Sequence, residues 1–191
     1  PLSGTLCILD PYTGEVLTVI DPQWDSGIYS PVWSPDGTKI GFGGGSHATA
    51  QSDFGTYDFR LERLYDWGDK CGRPVWDAQS LGLYCDGITA VGKPEHDRDI
   101  YYRSADAGEP RVGWSVGPLE VDLHPAVVLD GSTLSVVRSY FFEGAHSEYI
   151  DYSTLMLMQP DGSGAVSVLT VQRPEPWIYP VWNSDGRTVA A

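Results

Sequence analysis

The stretch Tyr29-Ser30-Pro31-Val32-Trp33-Ser34-Pro35-Asp36-Gly37-Thr38-Lys39-Ile40-Gly41-Phe42 decides the fold, because the chain repeats it. Near the end it returns as Tyr179-Pro180-Val181-Trp182-Asn183-Ser184-Asp185-Gly186-Arg187-Thr188-Val189-Ala190. Two worn copies lie between. Pro74-Val75-Trp76 leads to Leu81-Gly82-Leu83-Tyr84, and Pro125-Ala126-Val127 leads to Asp130-Gly131-Ser132-Thr133-Leu134. Proline marks strand entry, where a missing N–H does little harm. Val and Trp begin an alternating strand, and Asp-Gly supplies a tight turn that tolerates positive φ. Each copy reads as one hairpin.

A second type of hairpin alternates with the first. It is clearest from Thr154 to Thr170, around Gln159-Pro160-Asp161-Gly162, and from Gly4 to Ile20, around Asp10-Pro11-Tyr12-Thr13-Gly14. Weaker versions run from Thr56 to Leu64 and from Ile100 to Val116. Two hairpins make a four-stranded sheet, the unit of a β-propeller blade. The marker prolines Pro31, Pro74, Pro125 and Pro180 are spaced by 43, 51 and 55 residues. The 31 residues up to Pro31 and the 11 after Pro180 amount together to one more repeat. The expected fold is therefore an all-β propeller of four four-stranded blades. One blade is shared between residues 1–20 and 179–191, and the others occupy about 29–66, 73–116 and 123–170. A shared blade lets a ring close and hides two sheet edges.

Val32-Trp33-Ser34-Pro35-Asp36-Gly37, with an apolar strand after it, resembles the Pro-Asp-containing repeat of TolB-like β-propellers. That repeat also occurs in the propeller domains of prolyl oligopeptidase-type enzymes. The resemblance implies a protein that acts chiefly through protein contacts. One departure is the blade number: such propellers usually have six to eight blades, and four are counted here.

Composition narrows the function. Twelve basic against twenty-six acidic residues give a net charge of −14. So negative a surface repels phosphate backbones and anionic lipid, which argues against nucleic-acid and membrane-surface partners. No window holds the run of about eighteen apolar residues needed for a membrane helix. The chain begins at Pro1 without an initiator Met, as a processed or trimmed product would. Cys71 and Cys85 flank a segment read as a hairpin turning near Ala78 and Gln79, which sets them almost opposite each other. The expectation is either a bridge, which would favour an oxidising compartment, or two buried thiols; Cys7 is left over.

Chemical motifs are scarce. Gly113-Trp114-Ser115-Val116-Gly117 matches the G-x-S-x-G nucleophile elbow, but Gly117-Pro118 follows where that motif needs a helix. His47, His96, His124 and His146 lack metal-ligand spacing and read as isolated loop residues, although a ring could bring separated side chains together at its axis. The run Gly41 to Ser46 has no following Lys and reads as a flexible link. Asp-rich Pro94 to Asp99 does not fit a calcium loop and reads as solvated. Trp33, Trp76 and Trp182 recur in register and read as blade packing. Trp24, Trp67, Trp114 and Trp177 fall in or beside connections and are the candidate contact surface.

The resulting expectation is a non-catalytic scaffold, extracellular or periplasmic, with no catalytic, cofactor or metal residues. Its partner is another protein or a further copy of itself. The alternatives are the propeller portion of a larger peptidase or carbohydrate-active hydrolase, and a small sugar-binding propeller.

Overall fold

A computed structural model of the chain describes residues 4–24, 27–45, 52–67, 73–88, 98–106, 111–114, 120–128, 130–141, 150–172 and 179–190. All regular structure among them is β-strand, as the alternating patterns predict. Three antiparallel four-stranded sheets follow one another along the chain. The first contains β3 (Ile28–Trp33), β4 (Lys39–Gly45), β5 (Ser52–Asp58) and β6 (Arg63–Asp66). The second contains β7 (Val75–Trp76), β8 (Gly82–Ile88), β9 (Arg98–Ser104) and β10 (Arg111–Trp114). The third contains β11 (Glu120–Val127), β12 (Leu134–Phe141), β13 (Ile150–Met158) and β14 (Val166–Gln172). In each sheet the strands lie side by side in chain order. Two further sheets have two strands each: β1 (Leu6–Leu9) with β2 (Val16–Ile20), and β15 (Val181–Trp182) with β16 (Val189–Ala190). The terminal hairpins, which the spacing assigns to one shared blade, are separate sheets in this structure.

The repeat is more regular in the backbone than in the sequence. Ser34, Asp77, Val128 and Asn183 each donate an N–H to the carbonyl five residues on, at 2.9 Å in all four turns. In each turn the residue three positions on donates back to the carbonyl of that first residue: Gly37, Ser80, Gly131 and Gly186. All four sit at positive φ, between 60° and 74°. Three are glycine, for which that region is free of Cβ strain. The fourth is Ser80, which holds the same conformation without the Asp-Gly signature. Its hydroxyl accepts the Asp36 N–H of the preceding sheet at 3.1 Å.

The marker prolines occupy a second recurring device. Register shifts between Tyr29 and Val32 in β3 and between Leu123 and Ala126 in β11. Each bulge contains a positive-φ residue and then the proline, Ser30-Pro31 and His124-Pro125. A bulge leaves a backbone group out of the ladder, and proline has no N–H to lose there.

The cores lie between sheets. Phe54 and Val32 of the first sheet meet Trp76, Leu83 and Cys85 of the second. Tyr84 and Ile100 of the second meet Leu134, Val136 and Met156 of the third. Leu6, Ile8 and Ile20 lay the N-terminal hairpin on Ile40 and Phe42, and Val189 lays the C-terminal hairpin on Val137 and Leu155. Of the stretch read as a flexible link, Gly41 to Gly45 belong to strand β4, which corrects that expectation, and Ser46 lies outside the described residues. A Cβ on Gly41 would lie 2.6 Å from Leu83 Cδ2, and one on Gly44 would lie 2.4 Å from Trp24 Cε3. These glycines make room for rings and methyls from neighbouring segments, and flexibility is not their role.

One charged pair is built into the third sheet. Asp122 and Arg138 are direct cross-strand partners joined by two 2.9 Å hydrogen bonds, with the Asp122 side chain fully buried. Glu120 Oε2 stands 3.8 Å from Arg138 Nε. The bond to Asp122 is the main reason the guanidinium pKa rises above its ordinary value. Arg138 is locked in its charged form.

Candidate functional site

The first strands of successive sheets run beside one another, β3 by β7, β7 by β11 and β11 by β15. They form the inner edge of the assembly of sheets. The residue just before each marker proline is therefore brought toward its counterparts. Those residues are Ser30, Arg73, His124 and Tyr179, and the last three converge. The Arg73 guanidinium lies against the His124 ring, with Nη1 2.8 Å from Nε2 and close to Nδ1 as well. The His124 and Tyr179 ring centroids are 4.6 Å apart, and Arg73 Cζ stands 5.8 Å from the Tyr179 centroid.

Local structure holds each member. The bulge at His124-Pro125 turns the imidazole inward, where His124 is only 7% exposed. Arg73 is anchored by its backbone N–H, which donates to Asp86 Oδ1 at 2.9 Å; Asp86 itself is buried. Tyr179 remains 56% exposed. Among the described residues no carboxylate pairs with the Arg73 guanidinium. An accessible guanidinium beside an aromatic ring can donate paired hydrogen bonds to a carboxylate or carbonyl while the ring packs on the same group. The cluster contains a cation, an imidazole and a phenol, which suits recognition.

The expected contact residues fall differently. Trp24 is half-buried: its indole donates to Asp66 Oδ2 at 3.1 Å and its ring lies 5.5 Å from Phe42. Trp67 packs on the core between the first two sheets, donates to Thr56 Oγ1 at 3.4 Å, and carries the Arg103 guanidinium over its face. Both are half-buried and take part in packing within the fold. Trp114 closes β10, and Trp177 lies outside the described residues, as does Ser115 of the G-x-S-x-G motif. Trp33, read as blade packing, is 48% exposed, whereas its counterpart Trp76 is 4% exposed. Cys85 is buried and disulfide-bonded, and Cys7 is exposed and free; Cys71 lies outside the described residues. Among the described residues no group of three His, Cys, Asp or Glu side chains is placed to hold a metal ion.

The sequence contained one signal for the Arg73, His124 and Tyr179 cluster that composition and motif spacing overlook. Arg73, His124 and Tyr179 share a repeat position. Read through the repeat, His124 is not an isolated loop residue.

No family model matches the chain, and no curated protein matches it. Solved structures do. A TolB from Agrobacterium tumefaciens matches with a TM-score of 0.59 at 14% identity, over 88% of this chain and 62% of that one. The β-propeller domain of the Trilobed protease from Pyrococcus furiosus, described as having an open velcro topology, matches with a TM-score of 0.56 at 14% identity, over 86% and 48%. Prolyl oligopeptidase B from Galerina marginata matches with a TM-score of 0.58 at 13% identity, over 81% and 24%. This chain thus spans less than two thirds of each. At these identities the likeness establishes the fold: the sheets are β-propeller blades like those of TolB and of prolyl oligopeptidase-type enzymes. Among the described residues no helix is long and apolar enough to cross a membrane.

Proposed function

We propose that the protein is a non-catalytic propeller that binds another protein and serves as an assembly scaffold outside the cytoplasm. The observation that carries this reading is the convergence of Arg73, His124 and Tyr179 from three equivalent repeat positions onto one edge of the ring of blades. His124 lies in β11, and Arg73 and Tyr179 stand two residues before β7 and β15, so the arrangement offers donors and ring faces to an incoming carboxylate or backbone carbonyl. The four-bladed architecture, with residues 1–20 and 179–191 as halves of one blade, belongs to the same reading. So does a Cys71–Cys85 bridge, which supports an extracellular or periplasmic setting.

The test is cross-linking with mass spectrometry in the native source, comparing the wild type with an Arg73→Ala, Tyr179→Ala variant. The reading expects partner peptides linked beside Arg73 and Tyr179 and lost in the variant. Partner links that map elsewhere and survive both substitutions would sink it.

A second reading has its own support. The Trilobed protease propeller and prolyl oligopeptidase B both belong to peptidases, and this chain spans only part of each. As the propeller portion of a larger hydrolase, the chain would use the same edge to admit substrate. The intact mass of the natural protein separates the two readings. A mass near 20.9 kDa favours the scaffold, and a much larger one favours the hydrolase portion.

A further inference from the structure

The two terminal hairpins carry complementary signatures. β15–β16 has the inner type, with Pro180, Trp182 and the Asp185-Gly186 turn. β1–β2 has the outer type: Asp10 donates its N–H to the Glu15 carbonyl and accepts from the Gly14 N–H, a turn one residue longer than the one Gln159 opens between β13 and β14. In each complete sheet the second strand pairs antiparallel with the third: β4 with β5, β8 with β9, β12 with β13. Among the described residues β16 pairs only with β15, and β1 only with β2. Both free edges, Leu6 to Leu9 and Val189 to Ala190, are without charge or proline, the usual devices that keep an edge from pairing.

The faces are as incomplete as the edges. Each hairpin rests one face on its neighbouring sheet and leaves the other open. On the N-terminal hairpin, Leu9, Val16, Leu17 and Val19 are 51–59% exposed. On the C-terminal hairpin Val181 is 65% exposed, and on the outer half of the third sheet Val166 and Leu169 are 56% and 43% exposed. Aligning the turns Asp10 with Gln159, and Thr188 with Thr133, sets Val189 opposite Leu9 and Ala190 opposite Ile8. In that register the faces agree. Ile8, packed toward the first sheet, pairs with Ala190, while Leu9 and Val189 share the side toward the third sheet.

Trp33 gives the same answer independently. The equivalent Trp76 donates its indole N–H to the Val32 carbonyl of the preceding sheet at 2.9 Å, and Trp182 donates to Ser135 Oγ at 3.1 Å. Trp33 has no preceding inner strand beside it. The repeat counterpart of Val32 is Val181, the residue before Trp182, and it too is exposed.

We propose that two copies of this chain complete each other's open blade. The C-terminal hairpin of one copy enters beside the N-terminal hairpin of the other, β16 pairs along β1, and Trp33 of the receiving copy donates to the Val181 carbonyl of the entering copy. A second copy is the fitting occupant for two reasons. The strands that would continue each open edge carry the signatures of the hairpin at the opposite end of this sequence. The entering segment, residues 179–190, carries one Asp and one Arg and so adds no net charge to a strongly acidic surface. This deepens the assembly half of the scaffold reading and rests on it.

The experiment uses two single variants in a Cys7→Ser background, Leu9→Cys and Val189→Cys, each purified and then mixed under mild oxidation. The expected product is a disulfide-linked species of twice the chain mass that neither variant yields alone in comparable amount. Light scattering of the wild type should show the same doubled or higher mass, and the exposed substitution Val181→Asp should return it to monomers. Monomers at every concentration, with no linked product in the mixture, would overturn the proposal. So would efficient linking within one chain carrying both cysteines, which would mean that the chain closes on itself. Cross-links to a partner at Arg73 and Tyr179 are read separately, so loss of self-association leaves the binding reading standing.

Discussion

Trp76 and Trp33 hold the same position in the repeat and meet different surroundings. Trp76 is closed over by the first sheet and hydrogen-bonded to its backbone; Trp33 stacks on Phe59 at 5.1 Å within its own sheet and is otherwise half open. The residue type is therefore not what buries the ring. Burial comes from the inner strand of the sheet before it, and the first sheet has none. Packing in this molecule belongs to pairs of neighbouring sheets, so each blade's stability depends on the blade before it.

The comparison can be broken most directly by removing both rings. Trp76→Ala should lower unfolding stability by ~3–5 kcal/mol in urea denaturation, the range for emptying a core aromatic site. Trp33→Ala measured on monomer should lose about 1 kcal/mol, mainly its stacking on Phe59. Equal losses would mean that Trp33 is already covered. The charged pairs offer a parallel contrast. Asp122→Ala removes two charged hydrogen bonds from a partly buried guanidinium that keeps Glu120 nearby and should lower stability by ~1.5–3 kcal/mol, while Arg60→Ala removes an exposed contact to Asp36 worth about 1 kcal/mol or less.

Smaller effects sharpen the equivalence of the turns. Gly37→Ala forces Cβ into positive φ with open space around it and should destabilise by about 1–2 kcal/mol. Gly186→Ala adds a 2.6 Å approach to Val128 Cγ1 and should lose about 1 kcal/mol more in the same assay. The smallest effect is in acid. The Ser34 hydroxyl and then the Thr38 N–H hold Asp36 well below the ordinary carboxylate value of 3.8. A folded-state pKa below the unfolded one contributes stability that is complete above about pH 4 and is lost as pH falls further. Melting temperature against pH should therefore decline below that point, and Asp36→Asn should make the decline shallower. A decline of unchanged slope would remove Asp36 from the account.

The inner hairpins were legible because proline, tryptophan and Asp-Gly do different physical jobs at fixed offsets, and two copies keep all three. The Pro74 copy is harder to read because Ser80 takes the left-handed position that glycine fills elsewhere, which no local signal announces. Gly41 and Gly44 misled for the converse reason. Their composition suggests a link, yet they are small because Leu83 and Trp24, distant in sequence, come against them. The cluster of Arg73, His124 and Tyr179 was half legible. Its residues are about fifty positions apart, and only the shared place before a proline connects them; that Arg73 reaches the His124 ring depends on how adjacent sheets turn. Trp24 and Trp67 stand beside connections in the sequence, but their partners Asp66, Phe42 and Arg103 lie where only the fold could bring them.

The free edge of β1 also has a consequence for synthesis. The strand whose signature completes β1, β16, is synthesised 180 residues after it, counting from Leu9 to Val189. At ~5–20 residues per second, an uncharged apolar edge waits roughly ten to forty seconds for any strand made on the same template. On a polysome, earlier-finished hairpins stand nearby throughout that interval. Pairing between nascent and completed chains would then compete with chaperone capture, and the outcome would depend on how closely ribosomes are spaced on the message.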